Sequence, residues 1–160
     1  MAKEKIPTTP ALLALKAQNA VFTLETYKYE EKGGTRVSSA KLGVDEHCVI
    51  KTLVMEDESA RPLIILMHGD KEVSTKTLAR FLGVKSVTPC KPEIAHKHTG
   101  YLVGGTSPFG TKKAMTTYME KTIAQLPEIF VNAGARGLLA KMRSSELIRI
   151  LAPREVSVAI

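Results

Sequence analysis

The sequence predicts an α+β domain with a mixed, mostly antiparallel β-sheet and helices packed against it. Short alternating or apolar runs recur along the 160 residues, and short helical stretches with capping residues fall between them. Strands joined by turns and interrupted by short helices favour this class. The chain is 44% hydrophobic and 24% charged, a composition typical of a globular protein with a buried core. We therefore expect one domain over residues 1–160.

Capping residues and alternation define the elements of the first half. A threonine followed by a proline favours a helix start, because the hydroxyl caps the helix and proline suits its first position. Side chains that alternate between apolar and polar predict a strand. The expected elements are a helix from Thr9 and Pro10 to about residue 20, a strand over 21–30, a turn at 32–35, a helix over 38–42 ended by Gly43, and a hairpin of strands over 49–56 and 62–68.

The second half continues with the same signals. Serine and proline favour helix starts, whereas a glycine after the last turn favours a helix end. No repeat or linker interrupts the series. The expected elements are a helix from Ser74 to Leu82, a strand over 86–88, a helix from Pro92 to Gly100, a strand beginning at Tyr101, strands over 114–119, 128–132 and 138–142, a helix over 144–151, and a last strand over 155–160.

Charge and composition narrow the class of partner. The net charge of +7 and the pI near 9.5 favour a polyanionic partner, nucleic acid first, although many small basic proteins bind no polyanion. Only 5% of the residues are aromatic and Trp is absent, which argues against a broad stacking platform for single-stranded nucleic acid. The start of the chain lacks an apolar leader, and the apolar runs are too short to cross a bilayer. Two isolated cysteines indicate a reducing compartment. We therefore expect a cytoplasmic protein with no membrane partner.

The stretch 101–113 carries the strongest local signal for a binding site. An apolar run breaks into a loop with three glycines, a proline and three hydroxyls, and the loop ends in two lysines. Glycines allow the backbone to approach a ligand closely, and successive amides in such a turn can form an anion-binding nest. The alternative is an ordinary loop, because glycine and proline are common in loops of every kind.

Lys51 lies in the middle of a predicted strand, in register with Leu53 and Met55. If that face is the core, then the ammonium is buried and needs either an anionic partner or a depressed pKa. If that face lies against solvent, Lys51 is an ordinary surface residue. The pattern alone leaves both interpretations open.

No metal or cofactor site is predicted. His96 and His98 are two residues apart on a predicted helix and so point to different faces, and no third ligand lies at a suitable spacing. There is no G-x-S-x-G elbow, no Walker A sequence and no G-x-G-x-x-G. Cys48 and Cys90 are expected to be small buried apolar residues rather than nucleophiles. An enzyme of this kind would need a substrate that is already activated.

Four segments of the chain together resemble a known family. They are Thr26-Tyr27, Val49-Ile-Lys-Thr-Leu53, Thr99-Gly-Tyr-Leu-Val-Gly-Gly-Thr-Ser-Pro-Phe-Gly110 and Gly134-Ala-Arg-Gly137, in that order and spacing. In this combination the chain resembles the YbaK/EbsC family of aminoacyl-tRNA deacylases, which is related to the editing domain of bacterial prolyl-tRNA synthetases. The resemblance extends over about residues 9–151.

The resemblance implies a fold, an activity and partners. The fold would be a mixed, barrel-like sheet flanked by helices. The activity would be trans-editing, the removal of a wrong amino acid from mischarged tRNA, with cysteine on tRNA(Pro) as the typical case and alanine in sister groups. The expected partners are the acceptor end of the mischarged tRNA and, as a further candidate, prolyl-tRNA synthetase.

The resemblance also assigns site residues. Lys51 matches the key lysine of the family, and Gly104 and Gly105 match the loop glycines whose backbone approaches the substrate. These three are the expected catalytic residues. The expected substrate-binding residues are Tyr27, Thr52, Thr106, Ser107, Asn132 and Arg136.

Two positions depart from the family pattern near the aminoacyl pocket. Asn132 stands where the family usually has serine, and Leu139 stands where some members have aspartate. These differences leave two alternatives to a cysteinyl deacylase. One is a deacylase for alanyl or another small aminoacyl-tRNA, and the other is a non-catalytic module that binds tRNA or a synthetase.

Overall fold

One eight-stranded sheet organises the fold, and the computed structural model describes residues 6–160. The strands are β1 (Phe22–Thr26), β2 (Val49–Asp57), β3 (Pro62–His68), β4 (Val87–Pro89), β5 (Thr116–Glu120), β6 (Glu128–Ala135), β7 (Leu138–Arg143) and β8 (Arg154–Val156). The α-helices are α1 (Pro10–Ala17), α2 (Gly34–Leu42), α3 (Thr75–Leu82), α4 (Pro92–Thr99) and α5 (Ser144–Leu151). Two short 3-10 helices lie at Glu46–Cys48 and Lys121–Gln125.

The sheet is mixed and open. Its order is β1-β7-β6-β2-β3-β5-β8, and β4 pairs with the end of β2. Four strand pairs are antiparallel and three are parallel. The predicted α+β class is therefore confirmed. The expected barrel-like shape is corrected, because β1 and β8 are the two ends of the sheet and it does not close into a barrel.

One edge of β2 is shared by two strands and left open between them. β6 pairs with β2 only at Val49 and Ile50, and β4 pairs with it only from Met55 to Asp57. The amide of Cys90 donates to the carbonyl of Val54 at 3.0 Å. The residues 51–53 therefore face a split in the sheet, which is the place where a ligand can approach the strand from its edge.

Helices cover both faces of the sheet. On one face, α1 and α5 pack on a large apolar cluster that includes Ile50. On the other face, α3 packs on a cluster around Met55, and a smaller cluster around Val49 packs beside Leu42, the last residue of α2. Because side chains alternate along a strand, Lys51 shares a face with Val49 and Met55. It lies in the interval between those two clusters.

Most predicted elements are present, with a few different bounds. The helices at 74–82 and 144–151 and the strand at 62–68 are confirmed. The first strand ends at Thr26 rather than residue 30, and α2 begins at Gly34 rather than Ser38. The strand predicted at Tyr101 is wrong. The buried Tyr101 donates its hydroxyl to the Phe109 carbonyl at 2.6 Å, and its apolar neighbours are exposed, so this run closes a loop instead.

Candidate active site

Lys51 is partly buried and its ammonium has partners. The side chain is 19% exposed. The ammonium donates to the backbone carbonyl of Lys71 and lies 3.5 Å from a carboxylate oxygen of Glu72. Glu72 is itself 80% exposed, so this ion pair lies at the surface and contributes at most about 1 kcal/mol. Lys51 is therefore a partly exposed cation that surface partners hold in place.

Thr52 points to the opposite face of β2 from Lys51. Among residues 6–160, its Oγ1 is the one buried side-chain N or O atom that has no hydrogen-bond partner. A buried hydroxyl left without a partner costs about 1–3 kcal/mol. Its position beside the split between β4 and β6 is consistent with a water or a substrate group as the missing partner.

The glycine loop begins with a tight turn. The amide of Gly105 donates to the carbonyl of Leu102 at 2.9 Å, and Gly104 has a φ of +86° at the third position of this turn. That backbone conformation favours glycine. A Cβ on Gly104 would also lie 2.6 Å from the hydroxyl oxygen of Tyr29. Both requirements explain why glycine occupies this position.

The last part of β6 and the turn that follows it hold the glycine loop. The Nδ2 of Asn132 donates to the carbonyl of Gly104 at 3.2 Å and to the carbonyl of Ala135 at 3.1 Å. The Nε of Arg136 donates to the carbonyl of Val103 at 2.8 Å. One side chain from β6 and one from the turn after it therefore fix two consecutive carbonyls of the loop.

Tyr27 and Tyr29 lie on the other side of the same turn. The guanidinium of Arg136 lies 5.1 Å from the ring centroid of Tyr29, within the range of a cation–π contact. The amide of Tyr27 donates to the carbonyl of Gly137 at 3.0 Å. A cleft of about 380 Å³ lies here, and its lining includes Tyr27, Tyr29, Arg136 and Gly137. Burial, and secondarily Tyr29, raises the pKa of the Tyr27 hydroxyl, so Tyr27 is a neutral donor at physiological pH.

Thr106 and Ser107 have different environments within the loop. The Thr106 hydroxyl donates to the carbonyl of Leu102 at 3.4 Å and is partly exposed. Ser107 is fully buried, and its Oγ accepts a hydrogen bond from the amide of Phe109 at 3.2 Å. The serine therefore supports the bend of the loop from inside.

The expected site residues fall into two groups. Asn132, Arg136, Gly104 and Gly105 form one connected assembly, in which the Cα of Gly105 packs so close to Arg136 that a Cβ would lie 2.9 Å from its amide nitrogen. Lys51 lies on β2 at the point where β2 and β6 separate, just after Ile50. Within the described chain, no hydrogen bond joins Lys51 to the glycine loop.

Sequence reasoning missed several residues of this region. Glu72 and Val103 carried no signal, because their contacts with Lys51 and Arg136 depend on how distant segments meet. A second missed feature is a pair of stacked imidazoles. The rings of His47 and His68 lie 3.7 Å apart, and the Nδ1 of His47 lies 2.8 Å from Asp70.

Neither a metal cluster nor a membrane span is found in the part of the chain that the structure describes. No group of three His, Cys, Asp or Glu side chains between residues 6 and 160 is arranged to hold a metal ion. Over the same residues, no helix combines the length and apolarity that a bilayer crossing requires.

The cysteines have environments that disfavour the thiolate. Burial, and secondarily the nearby Glu56, raises the pKa of Cys90 to about 11. Burial also raises the pKa of Cys48, with further contributions from Asp45 and Asp70. Both thiols are therefore protonated at neutral pH, which makes them poor nucleophiles.

Comparisons with curated proteins connect this geometry to translation. Over 109 residues the chain is 31% identical to a protein of Enterococcus faecalis, EbsC, named as a candidate Cys-tRNA(Pro)/Cys-tRNA(Cys) deacylase; the match covers 68% of this chain and 66% of EbsC. Over 112 residues it is 34% identical to a proline–tRNA ligase of Thermodesulfovibrio yellowstonii, covering 70% of this chain and 18% of the ligase. The chain therefore spans about two thirds of EbsC and less than a fifth of the ligase.

Solved structures and a family-level match agree with the fold. A crystal structure described as a candidate trans-editing enzyme for prolyl-tRNA synthetase superposes with a TM-score of 0.85 at 17% identity, covering 97% of this chain and 99% of that one. A protein described as hypothetical superposes with the same score at 19% identity, covering 94% and 99%. A sequence model of the aminoacyl-tRNA editing domain matches residues 32–150. The chain belongs to the aminoacyl-tRNA editing domain family.

Proposed function

We propose that the chain is an aminoacyl-tRNA deacylase that removes a wrong amino acid from mischarged tRNA in the cytoplasm, with cysteine on tRNA(Pro) as the first candidate substrate. The observation that carries the proposal is the position of Lys51, a partly buried cation beside the split edge of β2. Family membership and the similarity to EbsC support the same substrate class.

The chemistry needs no protein nucleophile. An aminoacyl ester is already activated, so positioning and electrostatic stabilisation of the transition state suffice. This requirement agrees with two protonated cysteines and with the absence of a nucleophilic serine elbow. In the proposal, Lys51 supplies the positive charge and the glycine loop supplies backbone amides.

For a cysteinyl ester, the substrate carries its own nucleophile. The ammonium of Lys51 favours loss of the proton from the cysteinyl thiol, whose ordinary pKa is about 8.5. The sulfur attacks the ester carbonyl, the bond from that carbon to the ribose oxygen breaks, and the ribose oxygen takes up a proton. The products are a free tRNA 3′ end and a cysteine thiolactone, which water then opens.

Two backbone amides of the glycine loop are suited to the developing oxyanion. The amides of Gly105 and Phe109 are already bonded to Leu102 and Ser107. Within residues 6–160, no hydrogen bond engages the amides of Gly104 and Thr106. We assign the oxyanion contacts to these last two amides. Arg136, Asn132 and Ser107 then act by fixing the loop, and Tyr27 borders the neighbouring cleft.

A second candidate function is a water-dependent deacylase for alanyl or another small aminoacyl-tRNA. The buried Oγ1 of Thr52 favours it, since this hydroxyl lacks a partner and lies at the split edge of β2, where a water can bind. In this version Lys51 binds the terminal ribose or phosphate, and the water attacks the carbonyl.

A hydrolysis panel tests the proposal. Purified protein is incubated with Cys-tRNA(Pro), Ala-tRNA(Pro) and Ser-tRNA(Pro), each with and without prolyl-tRNA synthetase. The cysteinyl route predicts fastest loss of cysteine, capture of the thiolactone as its hydroxylamine derivative, and little turnover of the thiol-free esters. Equal turnover of the alanyl ester would support the water route instead. Binding of tRNA without hydrolysis of any ester would refute a deacylase and support a non-catalytic module.

A further inference from the structure

We infer that the groove between α3 and β4 binds phosphates of the acceptor strand of tRNA, an inference that rests on the proposed deacylase function. The groove has a volume of about 560 Å³ and lies outside the site described above. Three cations and three hydroxyls line it, which is the side-chain chemistry that contacts a nucleic-acid backbone. They are Lys76, Arg80 and Lys85, and Thr75, Ser86 and Thr88.

The three cations are exposed and have no acidic partner. Within residues 6–160, none of them takes part in an ion pair. Cations elsewhere on the protein are paired, as in Lys41–Glu30, Arg61–Asp57, Lys141–Glu128 and Arg149–Glu146. The cations of the groove are therefore left available to an external anion.

Their arrangement does not serve folding. Lys76 and Arg80 are four residues apart on α3, where like charges destabilise a helix by roughly 0.2–0.5 kcal/mol. The facing loop adds Lys85 to the same groove. A carboxylate oxygen of Glu58 accepts hydrogen bonds from the backbone amides of Lys85 and Ser86 at 3.1 and 3.3 Å, so the side chain of Glu58 holds the loop in place. The positive charges are concentrated on a defined framework.

The groove lies on the Lys51 side of the sheet at a distance that suits tRNA. α3 packs on the face of β2 that carries Met55 and Lys51, and Thr88 of the groove pairs with Glu56. Five residues separate Lys51 from Glu56, about 17 Å at roughly 3.3 Å per residue. A stacked strand rises about 3.4 Å per nucleotide. If the esterified 3′ end of the tRNA lies beside Lys51, the phosphates about five nucleotides upstream would reach the groove. At that point of the tRNA, the single-stranded terminus joins the acceptor stem.

A triple substitution tests the groove. Lys76→Ala/Arg80→Ala/Lys85→Ala is compared with Lys16→Ala/Lys121→Ala/Arg154→Ala, which removes the same charge from three exposed residues elsewhere. The groove variant should weaken binding of uncharged tRNA(Pro) at least tenfold. It should also lower the slope of log affinity against log salt by about 2–3, since each lost phosphate contact removes roughly 0.7–0.9. The control variant should change the affinity and the salt slope by less than half as much.

Two substrates of different length separate this inference from the proposed function. In the groove variant, kcat/KM should fall at least tenfold for Cys-tRNA(Pro) and stay within twofold for a cysteinyl ester of a CCA trinucleotide, which is too short to reach the groove. Equal losses on both substrates, or equal losses in both triple variants, would overturn the inference. If the wild type hydrolyses neither ester, the proposed function fails, and the tRNA-binding comparison still decides whether the groove holds phosphates.

Discussion

The Nδ2 of Asn132 donates a 3.2 Å hydrogen bond to the carbonyl of Gly104, so one side chain of β6 holds the glycine loop against the β6–β7 turn. The same amide group reaches Ala135, and its oxygen accepts the amide of Gly134 at 2.7 Å. In this chain, the residue that departs from the usual serine is therefore the connection between the two segments.

Replacement of Asn132 by serine should loosen the loop. A serine hydroxyl is too short to make both contacts, and each lost hydrogen bond is worth about 0.5–1.5 kcal/mol. We expect Asn132→Ser to lower the free energy of unfolding by about 1–2 kcal/mol and kcat/KM for Cys-tRNA(Pro) roughly tenfold. Urea unfolding and initial deacylation rates measure the two effects. Full activity in a destabilised variant would show that the bridge serves folding alone.

Replacement of Gly104 by alanine should destabilise the fold more than replacement of a glycine that has a positive φ but no close neighbour. Gly34 has a φ of +60° and no atom within 4 Å of the position of a Cβ, whereas the Cβ of Gly104→Ala would meet Tyr29. We expect Gly34→Ala to destabilise the fold by about 1–2 kcal/mol, the ordinary cost of that conformation. Gly104→Ala should destabilise it further and abolish most deacylation.

A second substitution identifies the origin of the difference. In Gly104→Ala/Tyr29→Ala, the steric contact is removed while the positive φ remains. The unfolding free energy should return toward that of Gly34→Ala, although activity stays low if the loop backbone has shifted. Equal stabilities for Gly34→Ala and Gly104→Ala would contradict the close approach of Tyr29.

The protein thiols should be dispensable for activity. Because the pKa of Cys90 is raised to about 11, its thiolate fraction at pH 7.5 is only about one in three thousand. We expect Cys48→Ser/Cys90→Ala to retain deacylation of Cys-tRNA(Pro) within threefold. Loss of activity with an unchanged unfolding midpoint would assign a role in catalysis to a protein sulfur.

Stability should decrease below neutral pH because of His68. Burial lowers the pKa of His68 below 6.5, although its hydrogen bond to the backbone carbonyl of His47 opposes this shift. The unfolded chain therefore binds a proton on this residue at a higher pH than the folded chain does. The contribution of the neutral imidazole is fully present above pH 6.5 and is lost as the pH falls from there through the folded pKa. Between pH 7.5 and 5.5, the wild type should lose more unfolding free energy than His68→Gln. Parallel losses would contradict this assignment.

The sequence predicted the elements well where local chemistry decides them. Ser74 and Gly83 bound α3 as expected, since a cap and a glycine stop act within a few residues. The strand expected at Tyr101 failed because long-range contacts decide that segment, in which Tyr101 turns into the core and bonds to Phe109. The open shape of the sheet also depends on the pairing of distant strands, which no local pattern records.

The site could be predicted in its residue types but not in its contacts. Lys51 attracted attention because a charge in the middle of a strand needs an explanation. Its partners, the carbonyl of Lys71 and the carboxylate of Glu72, follow a turn after β3 and could not be paired with it from spacing. The groove cations likewise carry no motif, because Lys85 meets Lys76 and Arg80 only after α3 and β4 pack together.

The central claim is that Lys51 supplies the charge that drives ester cleavage. Single-turnover deacylation of Cys-tRNA(Pro) by Lys51→Ala tests it most directly, with Lys71→Ala as the control, since that variant keeps the carbonyl that Lys51 contacts and removes a neighbouring exposed ammonium. We expect the rate for Lys51→Ala to fall by at least a hundredfold, about 2.7 kcal/mol of transition-state stabilisation, while Lys71→Ala stays within threefold. An unchanged rate in folded Lys51→Ala would contradict the account.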